Sequence, residues 1–183
     1  MKKNLLLISV ILLILLFSCS NYFNNSKKIN FTGEDLSRKE FSEKNYKNCI
    51  FKNANLSYSI LNDTKLHNAD FTDANLSYAI LKNSVLKNTI LKNADLFSVD
   101  FSNASLKKIN FSNLNLINAN FNNADLRNAN FKNADLTGAT FYGANIKNAD
   151  FNKAKVELSQ LFNAKYINRA IMPYGTVYKK SKL

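Results

Sequence analysis

The sequence predicts an all-β fold in which the chain coils around its own apolar interior, with four sides of five residues in each turn. Three observations support this prediction. A large apolar residue occupies every fifth position from Phe31 to Leu161 without exception. The residue two positions earlier is small over most of that span. A seven-residue segment at 55–61 recurs almost unchanged 20 residues later, at 75–81.

A period of five excludes the two ordinary regular structures. Five residues advance an α-helix by about 500°, so the large residues would spiral around it instead of forming one apolar face. On a continuous strand, an odd period sends alternate large residues to opposite faces. All of them can point inward only if the chain turns once per unit. Each unit is therefore a short extended piece followed by a corner.

The other positions of the unit fit this arrangement. Small residues such as Ala54 and Ala124 lie two positions before the large residue, on the same face of an extended segment, and so point inward as well. Asn or Gly follows the large residue by two positions, as at Asn53 and Gly138, and suits a corner. Phe recurs every ten residues over 101–151, which places Phe on two opposite sides and Leu on the other two.

The two ends depart from the repeat. Glu34, Lys39 and Lys44 stand in small inward positions, so we expect the first turn to be loose or open. Residues 156–165 have the pattern of a short amphipathic helix that would cover the last turn. Residues 172–175, Met-Pro-Tyr-Gly, predict a tight turn before a basic tail.

The middle of the rod departs from the repeat as well. About six turns stacked at roughly 4.8 Å predict a rod of about 30 Å. Val99, Ile109 and Leu114 replace small inward residues near its centre. We therefore expect the rod to swell there or to lose its regular corners.

Units such as Ala-Asp-Leu-Arg-Asn at 124–128 and Ala-Asn-Phe-Lys-Asn at 129–133 resemble the pentapeptide repeat family, A(D/N)LXX. The resemblance covers residues 49–155 strongly and 29–48 weakly. It implies a right-handed four-sided β-helix over 29–155, followed by a cap and basic tail at 156–183. It implies no particular activity, because most members of the family have none assigned.

The N-terminus predicts export and lipid anchoring. Two lysines precede an apolar run at 5–17, which is too short for a membrane span but has the length of a signal peptide. The run ends in Leu-Phe-Ser-Cys and resembles a bacterial lipoprotein box, with Cys19 as the acylated residue. Residues 1–18 would be the signal peptide and 19–28 a polar tether to the cell envelope. The alternative is an uncleaved anchor with an incidental cysteine.

The charge narrows the class of partner. The chain carries a formal net charge of +12, which favours anionic lipid, lipopolysaccharide or another acidic polymer as a partner. Some pentapeptide repeat proteins bind DNA gyrase with an acidic rod that mimics DNA. A basic, exported rod does not fit that role, and we expect no nucleic acid partner.

Cations fall in register along one side of the predicted rod. In one column of equivalent positions, which we call the basic column, like charges would lie about 4.8 Å apart and repel, so the column needs compensating anions or a ligand. We take it as a candidate site for an anionic polymer; the alternative is a solvated charged face. His67 is interpreted as a column member and not as a metal ligand. The column consists of Lys47, His67, Lys87, Lys107, Arg127 and Lys147.

Outward apolar residues form a second candidate surface. Tyr58 and Ile60 recur one turn later as Tyr78 and Ile80, which predicts a contact with a partner or with a second copy, unless the recurrence reflects repeat duplication alone. The chain has a single histidine and lacks both a Gly-rich phosphate loop and a CxxC pair, so we expect no catalysis, cofactor or metal. Two functions remain: a non-enzymatic lipoprotein that serves as an envelope scaffold or interaction rod, and a binder of anionic polymers.

Overall fold

The structure, a computed structural model, describes residues 29–179. From 30 to 155 the chain repeats one five-residue conformation: a bridge residue, a large inward residue, a two-residue turn and a small inward residue. Bridge residues pair in parallel with those 20 positions later, as Asn30 does with Ile50 and Asp135 with Lys155. One turn therefore consists of four units. The chain forms the right-handed four-sided β-helix that the sequence predicts.

Backbone hydrogen bonds join each turn to the next. The Leu126 N–H donates to the Asn145 carbonyl at 2.9 Å, and the Asp125 N–H donates to the Ala104 carbonyl of the preceding turn at 3.0 Å. The Ala129 N–H donates to the Leu126 carbonyl at 3.0 Å and closes the corner. Each turn thus depends only on its immediate neighbours, as in other stacked repeats.

The interior is a filled stack of apolar side chains. Phe rings on the same side stack from turn to turn, with 4.7 Å between the centroids of Phe51 and Phe71 and 4.8 Å between those of Phe131 and Phe151. Phe121, on the opposite side, meets Phe131 edge-on at 5.6 Å. Phe therefore occupies two opposite sides, as the ten-residue alternation predicts, and the rings from both sides interlock at the centre.

The corners use a left-handed backbone conformation. The second turn residue has a positive φ in unit after unit, for example 62° at Asn48 and 56° at Asn68. Asn tolerates this region because its short polar side chain bonds locally. Here the Asn68 amide also donates to the Asn48 side-chain oxygen at 3.0 Å, so corner side chains link adjacent turns. Tyr58 and Tyr78 occupy the same position with a φ of 59° each, although bulky residues rarely adopt it.

The expectation of a loose first turn is wrong. Phe31 and Leu36 are buried, and their N–H groups donate to the second turn at 2.7 Å each. Glu34, Lys39 and Lys44 are half-buried in the inward positions. Long side chains are accommodated at this end of the rod because their apolar stems can lie along the interior while their charged groups reach solvent.

The expectation of an irregular centre is confirmed. Within residues 29–179, the ladder of parallel bridges lacks two pairs, the one between residues 90 and 110 and the one between residues 95 and 115. A cleft of about 370 Å³, lined in part by Thr89 and Leu114, opens at this place, which we call the ladder gap. The pairing of Asp100 with Asn120, beside Val99, is intact.

The helix α1, Leu158–Phe162, lies within the predicted 156–165 and is half as long. The Glu157 N–H at its start donates to the Gln160 side-chain oxygen at 2.8 Å. The Gln160 amide in turn donates to the carbonyls of Leu136 and Ala139 at 3.0 and 2.6 Å. The helix therefore supplies a donor to the Ala139 carbonyl at the end of the ladder, while the Leu136 carbonyl also accepts the Ala139 N–H at 2.9 Å.

The ladder resumes after α1 with one extra residue. Tyr166 pairs with Asn145 and Ile171 with Asp150, a spacing of 21 instead of 20. The chain then reverses: the Gly175 N–H donates to the Met172 carbonyl at 2.8 Å, which forms the tight turn predicted at 172–175. Val177 pairs antiparallel with Ile171, so a short hairpin closes this end of the rod.

Candidate functional site

The structure brings the six residues of the basic column into register on one side of the rod. Each occupies the first position of a two-residue turn, with its side chain directed outward. His67 and Arg127 are half-buried, whereas the four lysines are exposed.

Backbone bonds divide the column into two halves. The corner residue that comes after one column member donates its N–H to the carbonyl of the next member, as from Asn48 to His67 at 2.9 Å and from Asn128 to Lys147 at 3.0 Å. In the described part of the chain, the equivalent bond from Asn88 to Lys107 is missing. The ladder gap therefore separates Lys47, His67 and Lys87 from Lys107, Arg127 and Lys147.

One carboxylate compensates part of the column. Arg127 holds Asp125 through two bonds, Nε to Oδ1 at 2.7 Å and Nη2 to Oδ2 at 2.6 Å. The Lys107 ammonium lies 4.0 Å from the same carboxylate. Hydrogen bonding from the Arg127 side chain holds the pKa of Asp125 below its usual value, despite partial burial. The other four members, over residues 29–179, have no carboxylate within ion-pair distance.

Three lysines on the other sides each pair with one aspartate. Lys52 pairs with Asp70 at 3.3 Å, Lys82 with Asp100 at 3.4 Å and Lys132 with Asp150 at 3.2 Å, each with the carboxylate 18 residues later. This spacing joins the first turn residue of one unit to a bridge residue of the next turn. The Lys–Asp spacing is visible in the residue numbers, but sequence reasoning missed it. Among residues 29–179, four of the six column members lack a carboxylate partner, and so does Lys92 at the equivalent position of another side.

The tyrosines of the second candidate surface form a stack. The rings of Tyr58 and Tyr78 are nearly parallel with 4.6 Å between their centroids, and Phe97 meets Tyr78 edge-on at 5.3 Å. The Arg38 guanidinium lies 4.8 Å from the centroid of the Tyr58 ring. We call these four residues the aromatic ladder. Sequence reasoning missed Arg38, even though it stands 20 residues before Tyr58, at the equivalent corner.

Ile60 and Ile80 differ from the tyrosines beside them. They pair with each other in the bridge ladder and are half-buried, while the tyrosine side chains remain exposed at 46% and 42%. Of the four residues predicted to form a contact surface, the two tyrosines are therefore the more accessible; that they contact a partner stays a prediction.

Two further observations concern the described residues. Between residues 29 and 179, no group of three or more His, Cys, Asp or Glu side chains is arranged to hold a metal ion. No helix in the same range is long and apolar enough to cross a bilayer. The predicted lipidation site, Cys19, lies outside the described residues.

Comparison with solved structures returns other repeat proteins. HetL, a pentapeptide repeat protein involved in heterocyst differentiation regulation from the cyanobacterium Nostoc sp. strain PCC 7120, is 20% identical; the match covers 86% of this chain and 94% of HetL, with a TM-score of 0.39. QnrB1, a plasmid-mediated fluoroquinolone resistance protein, is 14% identical, with 82% and 85% covered and a TM-score of 0.41. A pentapeptide repeat protein from the Arabidopsis thaliana thylakoid lumen is 24% identical, with 81% and 80% covered and a TM-score of 0.19.

Family models assign the sequence directly. No curated protein sequence matches the chain. The model described as pentapeptide repeats (8 copies) matches residues 49–88, and the one described as a pentapeptide repeat region matches residues 86–161. Together these matches span residues 49–161, which is most of the chain. The chain therefore belongs to the pentapeptide repeat family.

Proposed function

We propose that this protein is a non-enzymatic lipoprotein whose β-helix serves as an interaction rod on the bacterial cell envelope, with the aromatic ladder as its contact surface. The observation that carries the proposal is the conformation of Tyr58 and Tyr78. The left-handed backbone conformation costs a bulky residue about 1–2 kcal/mol of stability. Asn occupies most of the equivalent corners. Neither ring is needed to fill the core, so a contact outside the chain would account for their presence.

The chemistry of the ladder supports a protein partner. Tyr side chains combine a large apolar face with a hydroxyl, and they are enriched where proteins bind one another. Stacking fixes both rings before binding, which lowers the entropy lost on association. Arg38 extends the surface with a charged group that can pair with a carboxylate.

The same proposal includes the lipid anchor and the absence of catalysis. The anchor rests on the apolar run at 5–17 and on Cys19, which precede the first turn of the rod. Apolar side chains fill the interior, and outward aspartates such as Asp70 and Asp150 are engaged with lysines. These features favour a scaffold role.

A chemical cross-linking pull-down from the native envelope tests the interaction rod. The double variant Tyr58→Asn, Tyr78→Asn places the preferred residue at both corners, so the fold should persist while capture of the partner is lost. Tyr142→Asn is the matched control, because Tyr142 is 72% exposed and lies outside the ladder. Equal capture by the double variant and the unaltered protein would refute the assignment of the contact surface.

A second function, binding of anionic polymers through the basic column, is favoured by the unmatched charge. Cations held in register gain from binding one polyvalent chain, whereas a single exposed lysine contributes little. Such binding should weaken steeply with salt, since screening shortens the reach of exposed charges.

Two quadruple variants test the second function. One changes Lys87, Lys107, Arg127 and Lys147 to Gln; the control changes Lys52, Lys82, Lys92 and Lys132 to Gln, with the same loss of charge. Retention on immobilised polyphosphate over a salt gradient should fall in the first and change little in the control, where three of the four lysines are already paired. Equal losses of retention in both variants would show that net charge alone explains the binding. No loss in either variant would refute the second function.

A further inference from the structure

A distinct cleft lies where the basic column ends, between the last turn and the terminal hairpin. Its volume is about 540 Å³, and its wall includes Arg127, Lys147 and Lys165 together with Tyr166 and Tyr178. Pockets that hold small organic ligands have volumes of about 300–1,000 Å³. The cleft is therefore of a size to hold one ring-sized molecule.

A β-bulge lies in the wall of this cleft. The Ala144 carbonyl accepts the N–H groups of both Lys165 and Tyr166, at 2.9 and 3.3 Å. Tyr166 takes the bridge position opposite Asn145, so Lys165 is the extra residue in the turn. Bulges are over-represented at sheet edges and next to functional sites, and they can redirect a side chain.

The bulge changes the residue that stacks next to Lys147 at the end of the column. The Asn148 N–H donates to the Asn168 carbonyl at 3.2 Å, so Asn168 stands where the regular spacing would place Ile167. The column thus ends in an amide, and the next cation, Lys165, is displaced to the side. Its ammonium lies 5.4 Å from the centroid of the Tyr166 ring.

The lining combines three kinds of group. Tyr166 is 52% exposed and offers a flat apolar face. Asn148 and Asn168 offer amides that can both donate to and accept from hydroxyls. Lys147 and Lys165 are exposed and have no carboxylate partner among residues 29–179. A purely apolar ligand would leave the amides and cations unused, and a bare inorganic anion would not use the ring.

We propose that this cleft binds a single anionic sugar, a ring that carries a carboxylate or a phosphate. The apolar face of the sugar would lie against Tyr166, its hydroxyls would bond the amides, and its acidic group would meet Lys147 and Lys165. This inference rests on the second proposed function, because the basic column supplies the cations next to the cleft. The cleft holds the terminal unit of an acidic glycan, while the column binds the charges of the adjoining units.

The test titrates the full-length protein, in detergent, with glucuronate and with glucose 6-phosphate, observed by saturation-transfer NMR and calorimetry. Glucose and inorganic phosphate are the matched comparators. Both anionic sugars should bind more tightly than either comparator; binding of only one of them would identify the acidic group. Lys165→Gln should weaken binding about tenfold, as expected for one charge-assisted bond, and Tyr166→Leu should weaken it similarly.

Lys87→Gln is the control, because Lys87 belongs to the column but lies beyond the ladder gap. Anionic sugar binding should be unchanged in it. Equal losses in Lys87→Gln and Lys165→Gln would overturn the cleft in favour of general charge attraction. Inorganic phosphate bound as tightly as glucose 6-phosphate, with no effect of Tyr166→Leu, would also overturn it.

Polyphosphate separates this inference from the function on which it rests. Polyphosphate has no sugar ring, so its retention should be insensitive to Tyr166→Leu and sensitive to the quadruple column variant. Retained polyphosphate binding without anionic sugar binding refutes the cleft alone. If neither the unaltered protein nor any variant binds polyphosphate, the proposed role of the basic column is refuted.

Discussion

Tyr46 places a hydroxyl in the interior stack of large apolar side chains. Its side chain is fully buried, its ring meets Phe41 and Phe51 edge-on, and in residues 29–179 no group lies within hydrogen-bonding distance of the hydroxyl. Burial, with a smaller effect from Glu40, raises the pKa of Tyr46 well above its usual value, so the hydroxyl stays neutral. The buried polar group therefore costs stability without forming a bond.

Tyr46→Phe should increase the free energy of unfolding by about 1 kcal/mol, because it removes an unsatisfied buried hydroxyl and retains the ring. Urea denaturation followed by circular dichroism measures this change in the free energy of unfolding. The same change at the exposed Tyr142 should have no effect. Destabilisation by Tyr46→Phe would contradict the assignment and reveal a partner for the hydroxyl.

Asp125 is the carboxylate that compensates two members of the basic column, Lys107 and Arg127. Its pKa is lower in the folded protein than its ordinary value of about 3.9, so its interactions stabilise the fold above that pH and are lost as the pH falls through the lowered pKa. Both partners are partly exposed, so screening by solvent keeps the effect small.

Asp125→Asn should therefore destabilise the protein at about pH 7, and this deficit should be smaller at about pH 2, because the interaction weakens as the pH falls through the lowered pKa of Asp125. Urea titrations at both pH values measure the difference. Asp63→Asn is the control, since Asp63 is exposed and has no ion pair among the described residues. A deficit that persists unchanged at low pH would show that the carboxylate charge is not the cause.

The turn is the structural element of this protein, and oversized residues in its small inward positions break the ladder. Ile109 and Leu114 lie in columns otherwise occupied by residues such as Ala129 and Ala134, and the missing bridges come directly after them. Val99, which is smaller, leaves its bridges intact. Close packing transmits the excess of three carbon atoms over alanine to the backbone.

Leu114→Ala should consequently cost less than the roughly 2–5 kcal/mol expected for a buried leucine, because the smaller side chain lets the two turns approach. Leu116→Ala, in the fully buried large column of the same turn, should cost the full amount. Urea denaturation of the two variants compares them. Equal costs would show that Leu114 is not responsible for the ladder gap.

The repeat made most of the fold and the register of the column predictable, since a fixed period places residues 20 apart side by side. It did not predict the regular first turn, because whether Lys39 and Lys44 disrupt packing depends on the side chains stacked beside them. The bulge at Lys165 arises after the pattern ends. Phe97 occupies the first turn position of its unit and Tyr78 the second, so the repeat does not place them side by side. The contact between their rings depends on side-chain rotamers that the period does not specify.

At the scale of the whole molecule, lipid anchoring would fix one end of the rod to a membrane. The predicted acylation site precedes the first turn by a short polar tether, so the C-terminal cleft would face away from the anchored end. A single lipid chain gives only marginal membrane binding, and a positively charged rod would add attraction to anionic lipids.

Cys19→Ala should abolish metabolic palmitate labelling and release the protein from the membrane fraction. Cys49→Ser is the matched control, since Cys49 is buried in an inward position of the rod and labelling should persist. Palmitate label that remains in Cys19→Ala would refute the anchor.

The ladder gap also bears on how the rod deforms. It opens two adjacent sides, while the pairs of Ile80 with Asp100 and Val85 with Ser105 hold the other two. Because two sides lack bridges at this level and two sides keep them, the rod should bend most easily here, about the two bridged sides. The basic column crosses that level between Lys87 and Lys107. Bending would therefore change the pitch between two rigid sets of cations, and one rod could match acidic chains whose charges are spaced differently.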